Sequence, residues 1–179
     1  MNLVLRLRRP NLGAAQFHFS DYGKAEPYRT SGGEAAKLMI EIINRQRKQR
    51  IQAERWRQFA EHVLKVIDAA DRDATIAFVS DAAIKKLNRQ FRGKDYATDV
   101  LSFPARAEKF ESENERSLGE IVISVERAAA QAKENGLTLA NEIQQLILHG
   151  LLHLRGCDHE TDRGEMNRLE LKLRKKLGI

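Results

Sequence analysis

The chain has 179 residues, 42% of them hydrophobic and 31% charged, which suits one globular domain with a real core and excludes a wholly disordered chain. Its formal net charge is +6, and its single cysteine, Cys157, excludes an internal disulfide, which fits a reducing cytoplasm. No apolar run approaches the about 18–20 residues that a membrane-spanning helix needs, so no membrane partner and a cytoplasmic location are expected.

Residues 1–38 differ in character from the remainder of the chain. They contain Gly13, Gly23, Gly32 and Gly33, two prolines, and no sustained helical or strand period. There is no apolar segment long enough for a secretory signal. This stretch is expected to be a poorly ordered N-terminal extension, or the product of a start codon assigned too early, leaving one domain over residues 39–179. It holds six Lys/Arg and three Asp/Glu against 25 and 22 in the remainder, so the body is only mildly basic and net charge alone does not identify nucleic acid.

From Met39 the elements alternate. Residues 39–44 read as a strand, and 52–69 as a helix with Trp56, Phe59, Ala60, Val63, Leu64 and Ile67 near 3.6-residue spacing. Residues 75–79 read as a buried strand. Asp81 is placed to cap a helix over 81–91, with Ile84, Leu87 and Phe91 inward. A short strand, 100–103, stops at Pro104, and the charged segment 105–117 reads as a loop. Residues 118–124 form another strand. Two helices come next, over 125–135, ended by Asn135-Gly136, and over 139–155, capped by Thr138. The second of these is apolar nearly all round (Leu139, Ile143, Leu146, Ile147, Leu148, Leu151, Leu152, Leu154), as a central buried helix would be. A final helix over 162–177 carries Met166, Leu169, Leu173 and Leu177 as its inner stripe. The predicted architecture is α+β: a small mixed four-stranded sheet packed with about five helices, the buried one carrying metal ligands.

Those ligands are His149, His153 and His159, spaced H-x3-H-x5-H, three of the five histidines in the chain. Residues four apart share one helix face, so His149 and His153 can aim two imidazoles at one ion. Gly156 can end the helix in a left-handed conformation and let the chain bring in His159. Three imidazoles and one open position describe a catalytic Zn²⁺ site, although other divalent transition metals also suit imidazole. The residue after the first histidine is Gly150, where an H-E-x-x-H peptidase has its glutamate base, so peptide hydrolysis is disfavoured. Cys157 reads as a small, partly buried residue rather than a fourth ligand. Asp158 reads as an orienter of a histidine or a turn residue, and Glu120 as a lesser candidate for general base.

Basic residues gather at Arg45, Arg47, Lys48 and Arg50, and again at Arg89, Arg92 and Lys94. Each group can contact phosphates, and each is equally compatible with a solvated charged edge. Arg92 stands apart because Gly93 succeeds it at a predicted helix end, where its guanidinium can grip a phosphate through two bonds. Thr98 and Asp99 are placed to pin the backbone entering the next strand.

Taken together, the three histidines, the segment from Leu87 to Pro104 and Leu118-Gly119-Glu120-Ile121 resemble the YbeY family of bacterial endoribonucleases. The family signature H-G-x-L-H-L-x-G-y-D-H is similar to His149, Gly150, Leu152, His153, Leu154, Gly156, Asp158 and His159, and T-D-V-L-S-F-P is matched from Thr98 to Pro104. The resemblance covers residues 39–179 and departs from the pattern at Cys157, where tyrosine is more frequent, and at Glu120, where aspartate is usual. It implies a single-strand-specific, metal-dependent endoribonuclease of rRNA maturation, acting at the 16S rRNA 3′ end and in ribosome quality control. It further implies one Zn²⁺ held by His149, His153 and His159, and Arg92 as the catalytic arginine of the active-site groove. Single-stranded rRNA, the ribosome or its small subunit, and assembly factors are the implied partners. A metal lowers the pKa of bound water to about 7 and polarises phosphoryl oxygens, and a counter-charge such as Arg92 is typically worth about 3–4 kcal/mol. The competing readings are a non-catalytic ribosome-assembly factor with a structural metal and a metal hydrolase of another substrate.

Overall fold

The run Ile121-Val122-Ile123 is apolar at every position, as a central strand covered on both faces must be. In the computed structural model, which describes residues 40–105, 116–157 and 162–179, this run lies in the middle of a four-stranded sheet. The elements in chain order are β1 (Ile40–Asn44), α1 (Ala53–Val66), β2 (Asp73–Val79), α2 (Asp81–Arg92), β3 (Val100–Pro104), β4 (Ser117–Ser124), α3 (Val125–Glu134), α4 (Leu139–Leu154) and α5 (Glu165–Leu177). Strand order is β1-β2-β4-β3, with β1, β2 and β4 parallel and the edge strand β3 antiparallel to β4. The predicted α+β architecture is thus the observed one. The N-terminal extension, Met39 and most of the 105–117 loop lie outside the described residues.

Strand alternation divides the core in two. Ile76, Phe78, Ile121 and Ile123 face the larger layer, built from α1 through Trp56, Ala60, Val63 and Leu64 and from α4 through Ile143, Leu146 and Ile147. Ala77, Val122, Leu101 and Phe103 face the other layer, where Ile84 and Leu87 of α2 cover them. Helix α4 is buried from Leu146 to Leu154 without interruption, as its all-round apolar sequence predicts. Gly150 is what lets it lie flat on β4: a Cβ built there would stand 2.8 Å from Cδ1 and 2.9 Å from Cγ2 of Ile121.

Several boundaries and caps differ from the sequence expectation, each for a local reason. Helix α1 stops at Val66, not 69, because Asp68 takes a left-handed φ of 54°, which aspartate tolerates better than most residues. The cap of α2 is Ser80, whose hydroxyl accepts from the Ala83 N–H at 3.3 Å; Asp81 instead sits in the first turn, where its charge suits the helix dipole. Thr138 caps α4 as expected, accepting from the Asn141 N–H at 3.1 Å. Helix α5 starts at Glu165 after Gly164 at its N-cap, and the Asp162 carboxylate accepts from the N–H groups of Gly164 and Met166, each at 2.7 Å. Its inner stripe is also corrected: Met166, Glu170 and Leu173 are buried, whereas Leu169 is 39% exposed. No helix among the described residues is long and apolar enough to cross a membrane.

Candidate metal centre

His149 and His153 lie in the last two turns of α4, one turn apart and both buried. Their Nε2 atoms face each other at 3.2 Å, with ring centroids 4.7 Å apart and ring planes at 72°. Nδ1 of His149 lies 2.8 Å from Oε2 of Glu170 on α5. An ionised carboxylate can only accept, so Nδ1 carries a proton, and in the neutral ring Nε2 keeps the lone pair that faces His153. Two imidazole nitrogens bound to one tetrahedral ion at about 2.0–2.1 Å would stand about 3.3 Å apart. The observed pair meets that spacing, and its donor chemistry suits Zn²⁺.

Glu170 is itself secured from behind. Its Oε1 accepts from Nε of Arg174 at 3.1 Å and also from Nη2, and Nη1 of Arg174 donates to Oε1 of Gln145 on α4 at 2.6 Å. Burial pushes the Glu170 carboxyl up, but the His149 hydrogen bond and the Arg174 guanidinium outweigh it and hold the group below the ordinary glutamate range. Sequence reading missed Glu170, Arg174 and Gln145. The available signal was the Glu170/Arg174 spacing of four residues on one helix, a pairing common on solvent faces too.

The third expected ligand, His159, and the expected orienter Asp158 lie outside the described residues. Among the described residues no group of three His, Cys, Asp or Glu has metal-holding geometry, so the described part of the centre is the imidazole pair. Gly156 does end the helix with a left-handed φ of 92°, while the Cys157 N–H bonds back to the Leu152 carbonyl at 3.1 Å.

Arg92 sits in the last turn of α2, half-buried with its Nη2 atom buried, and Gly93 caps the helix at a φ of 68°. Its helix and α4 cover opposite faces of the sheet. Both nevertheless finish at the same end of the sheet, where β2 and β4 begin. Phe91 packs edge-on against Phe103, 5.2 Å between centroids, and Phe103 pairs with Glu120 near the start of β4. At the end of α4, Nη1 of Arg155 donates to the carbonyls of Ile67 and Asp68, each at 2.7 Å, just before β2 begins. The ends carrying Arg92 and His153 therefore lie at one end of the sheet, on its two opposite faces. Glu120 pairs with Phe103 on the α2 face, across the sheet from the histidines, which removes it from the position of a base beside them. Asn88, fully buried, donates to the Tyr96 carbonyl at 2.8 Å, and Thr98 donates to Asp99 at 2.9 Å, so the connection after Arg92 is pinned as its polar residues suggest.

The two basic groups separate. Arg89 and Lys94 flank Arg92, although Arg89 lies 4.0 Å from Asp95 and Lys94 sits 5.9 Å from the Tyr96 ring. Arg45, Arg47, Lys48 and Arg50 are exposed at the opposite sheet edge, where the Arg45 N–H bonds the Phe78 carbonyl at 2.8 Å and Lys48 pairs with Glu126 at the start of α3.

The family model described as Endoribonuclease YbeY matches residues 41–178. An Endoribonuclease YbeY of Solibacter usitatus is 50% identical over 123 residues, 68% of this chain and 77% of its own length. One of Geobacter metallireducens is 34% identical over 143 residues, 79% of this chain and 95% of its own length. The solution structure of TM1509 from Thermotoga maritima is 32% identical with a TM-score of 0.55, covering 78% of this chain and 89% of that one.

Proposed function

The chain belongs to the Endoribonuclease YbeY family, and on that premise we propose that it is a single-strand-specific endoribonuclease of rRNA maturation and ribosome quality control, with one Zn²⁺ held by His149, His153 and His159. The observation that carries the metal reading is the buried Nε2 pair at 3.2 Å, with Glu170 fixing the His149 tautomer. Two imidazoles buried in the apolar C-terminal half of α4 need polar partners, which a metal supplies.

Bound there, a divalent ion supplies Lewis-acid polarisation of a phosphoryl oxygen and lowers the pKa of water. The chain's own residues do the remainder. His149 and His153 would present the ligating nitrogens from a helix seated closely on β4 at Gly150 and Ile121. Arg92 reaches the same end of the sheet from the other face and offers a planar fork to the phosphate, stabilising the charge that builds up during cleavage. Arg89 and Lys94, beside Arg92 in the sequence, are further cations for the flanking RNA backbone. The substrate is single-stranded RNA of the small ribosomal subunit, at the 16S 3′ end, met in the cytoplasm with the subunit and its assembly factors.

The test is cleavage of an end-labelled single-stranded RNA by wild type, His153→Ala and Arg92→Ala at equal purity. Cleavage by wild type alone, with both variants folded, supports the assignment. Equal cutting by all three assigns the activity to a contaminant and contradicts it.

A further inference from the structure

Glu170 occupies an unusual place for a glutamate. Helix α5 buries Met166, Glu170 and Leu173, so a carboxylate sits in the middle of the stripe that docks it on α4. One carboxylate oxygen meets His149 at 2.8 Å and the other accepts from Arg174, which also reaches across to Gln145 on α4 at 2.6 Å. The carboxylate thus ties α5 to the histidine, while Arg174, its partner on the same helix, ties α5 to α4 through Gln145.

We propose that Glu170, held by Arg174, is the positioning residue of the metal centre, and that docking of α5 and loading of the metal form one coupled equilibrium. The inference rests on the metal reading of His149 and His153 above. A carboxylate behind a ligating imidazole orients the ring and raises its basicity, and the loss of such a partner typically costs about 10–100-fold in metal affinity. Coupling is reciprocal: if docking of α5 favours the metal, the metal favours docking of α5 by the same factor. Arg174 contributes with two signs. Its hydrogen bonds hold the carboxylate in place, but its positive charge lies on the far side of Glu170 and disfavours a cation at the histidines. Positioning and plain packing therefore predict different outcomes for the two residues.

The experiment uses the full chain stripped with a chelator. Zinc affinity is read by competition with a chromophoric chelator, and amide exchange of α5 is monitored with and without zinc, for wild type, Glu170→Gln, Arg174→Gln and His153→Ala. Zinc is expected to slow α5 exchange in wild type. Glu170→Gln should bind zinc about 10–100-fold more weakly and lose that slowing. Arg174→Gln should loosen α5 and, through the same coupling, weaken zinc binding less than Glu170→Gln does, since loss of its positive charge offsets part of the effect. The proposal is overturned if Glu170→Gln binds like wild type while His153→Ala does not, an outcome that leaves the metal reading intact. It is also overturned if Arg174→Gln loses as much affinity as Glu170→Gln, the mark of packing alone, or if zinc leaves α5 exchange unchanged in wild type. Absence of zinc binding by folded wild type would remove the metal reading and this inference together.

Discussion

Gly150 and Ile121 are in such close contact that a single added methyl on Gly150 would stand 2.8 Å from Cδ1 of Ile121. The glycine directly after the first histidine is therefore a packing residue that sets the height of α4 above β4. It also separates this centre from the peptidase pattern, in which that position bears the glutamate base. Gly150→Ala should destabilise the fold by about 1–3 kcal/mol through overpacking. Ile121→Val should restore part of the loss in the double variant, since residues in contact couple by about 0.5–3 kcal/mol. Denaturant unfolding of the two single variants and the double variant measures both quantities, and simple additivity would contradict the contact.

Arg92 is assigned to stabilising phosphate charge, a role that depends on a planar fork. Arg92→Ala should lower the RNA cleavage rate about 10²–10³-fold. Arg92→Lys should recover little of it, because a lysine ammonium cannot make the paired bonds. Single-turnover rates on one short RNA test this, and full recovery in the lysine variant would reduce Arg92 to a point charge.

Glu142 is buried in the first turn of α4. Burial first, and then the nearby Asp99, push its carboxyl above the ordinary glutamate value, against the opposing effects of Arg174 and Asn135. A carboxyl raised on folding favours the folded state most when it is protonated, and that contribution disappears as pH rises through its folded pKa. Glu142→Gln should therefore raise Tm near pH 7 and leave it nearly unchanged below the usual glutamate range, where both states are protonated. Thermal melts across pH 4–8 give the profile, and an equal gain at all pH values would point to a cause other than titration.

Glu126 shows the opposite sign. Its hydrogen bond from Lys48, and after it that from the Asp81 N–H, holds its carboxyl below the ordinary range. Its stabilising contribution is present above the unfolded pKa and lost as pH falls through the folded one. Because the Lys48 side chain is exposed, Glu126→Gln should cost little at neutral pH, within the range of about 0–1 kcal/mol found for surface pairs. High salt should shrink the difference further, and a large salt-insensitive loss would contradict a surface pairing.

Much of the site was legible in the sequence because its strongest signals are local. The spacing of His149 and His153 fixes a shared helix face, and the apolar residues around them fix its burial. The same holds for Thr138 and Gly156, whose roles depend only on their immediate neighbours. Glu170 was not legible, because choosing it over Leu169 requires the rotation of α5 about its axis. That rotation is set by His149 and Gln145, about 20–30 positions away in sequence. The grouping of Arg92 with His153 at one end, and the removal of Arg45–Arg50 to the other, likewise depend on where β3 pairs and how α2 and α4 run across the sheet. His159 remains the sequence's own expectation.

The central claim, that the imidazole pair holds a metal on which RNA cleavage depends, is tested most directly by stripping and reloading. Chelator-treated wild type should lose cleavage of single-stranded RNA and regain it as one equivalent of Zn²⁺ is added, while His153→Ala, folded by circular dichroism, should not recover. Undiminished cleavage by verified metal-free protein, or recovery of His153→Ala alongside wild type, would contradict the account.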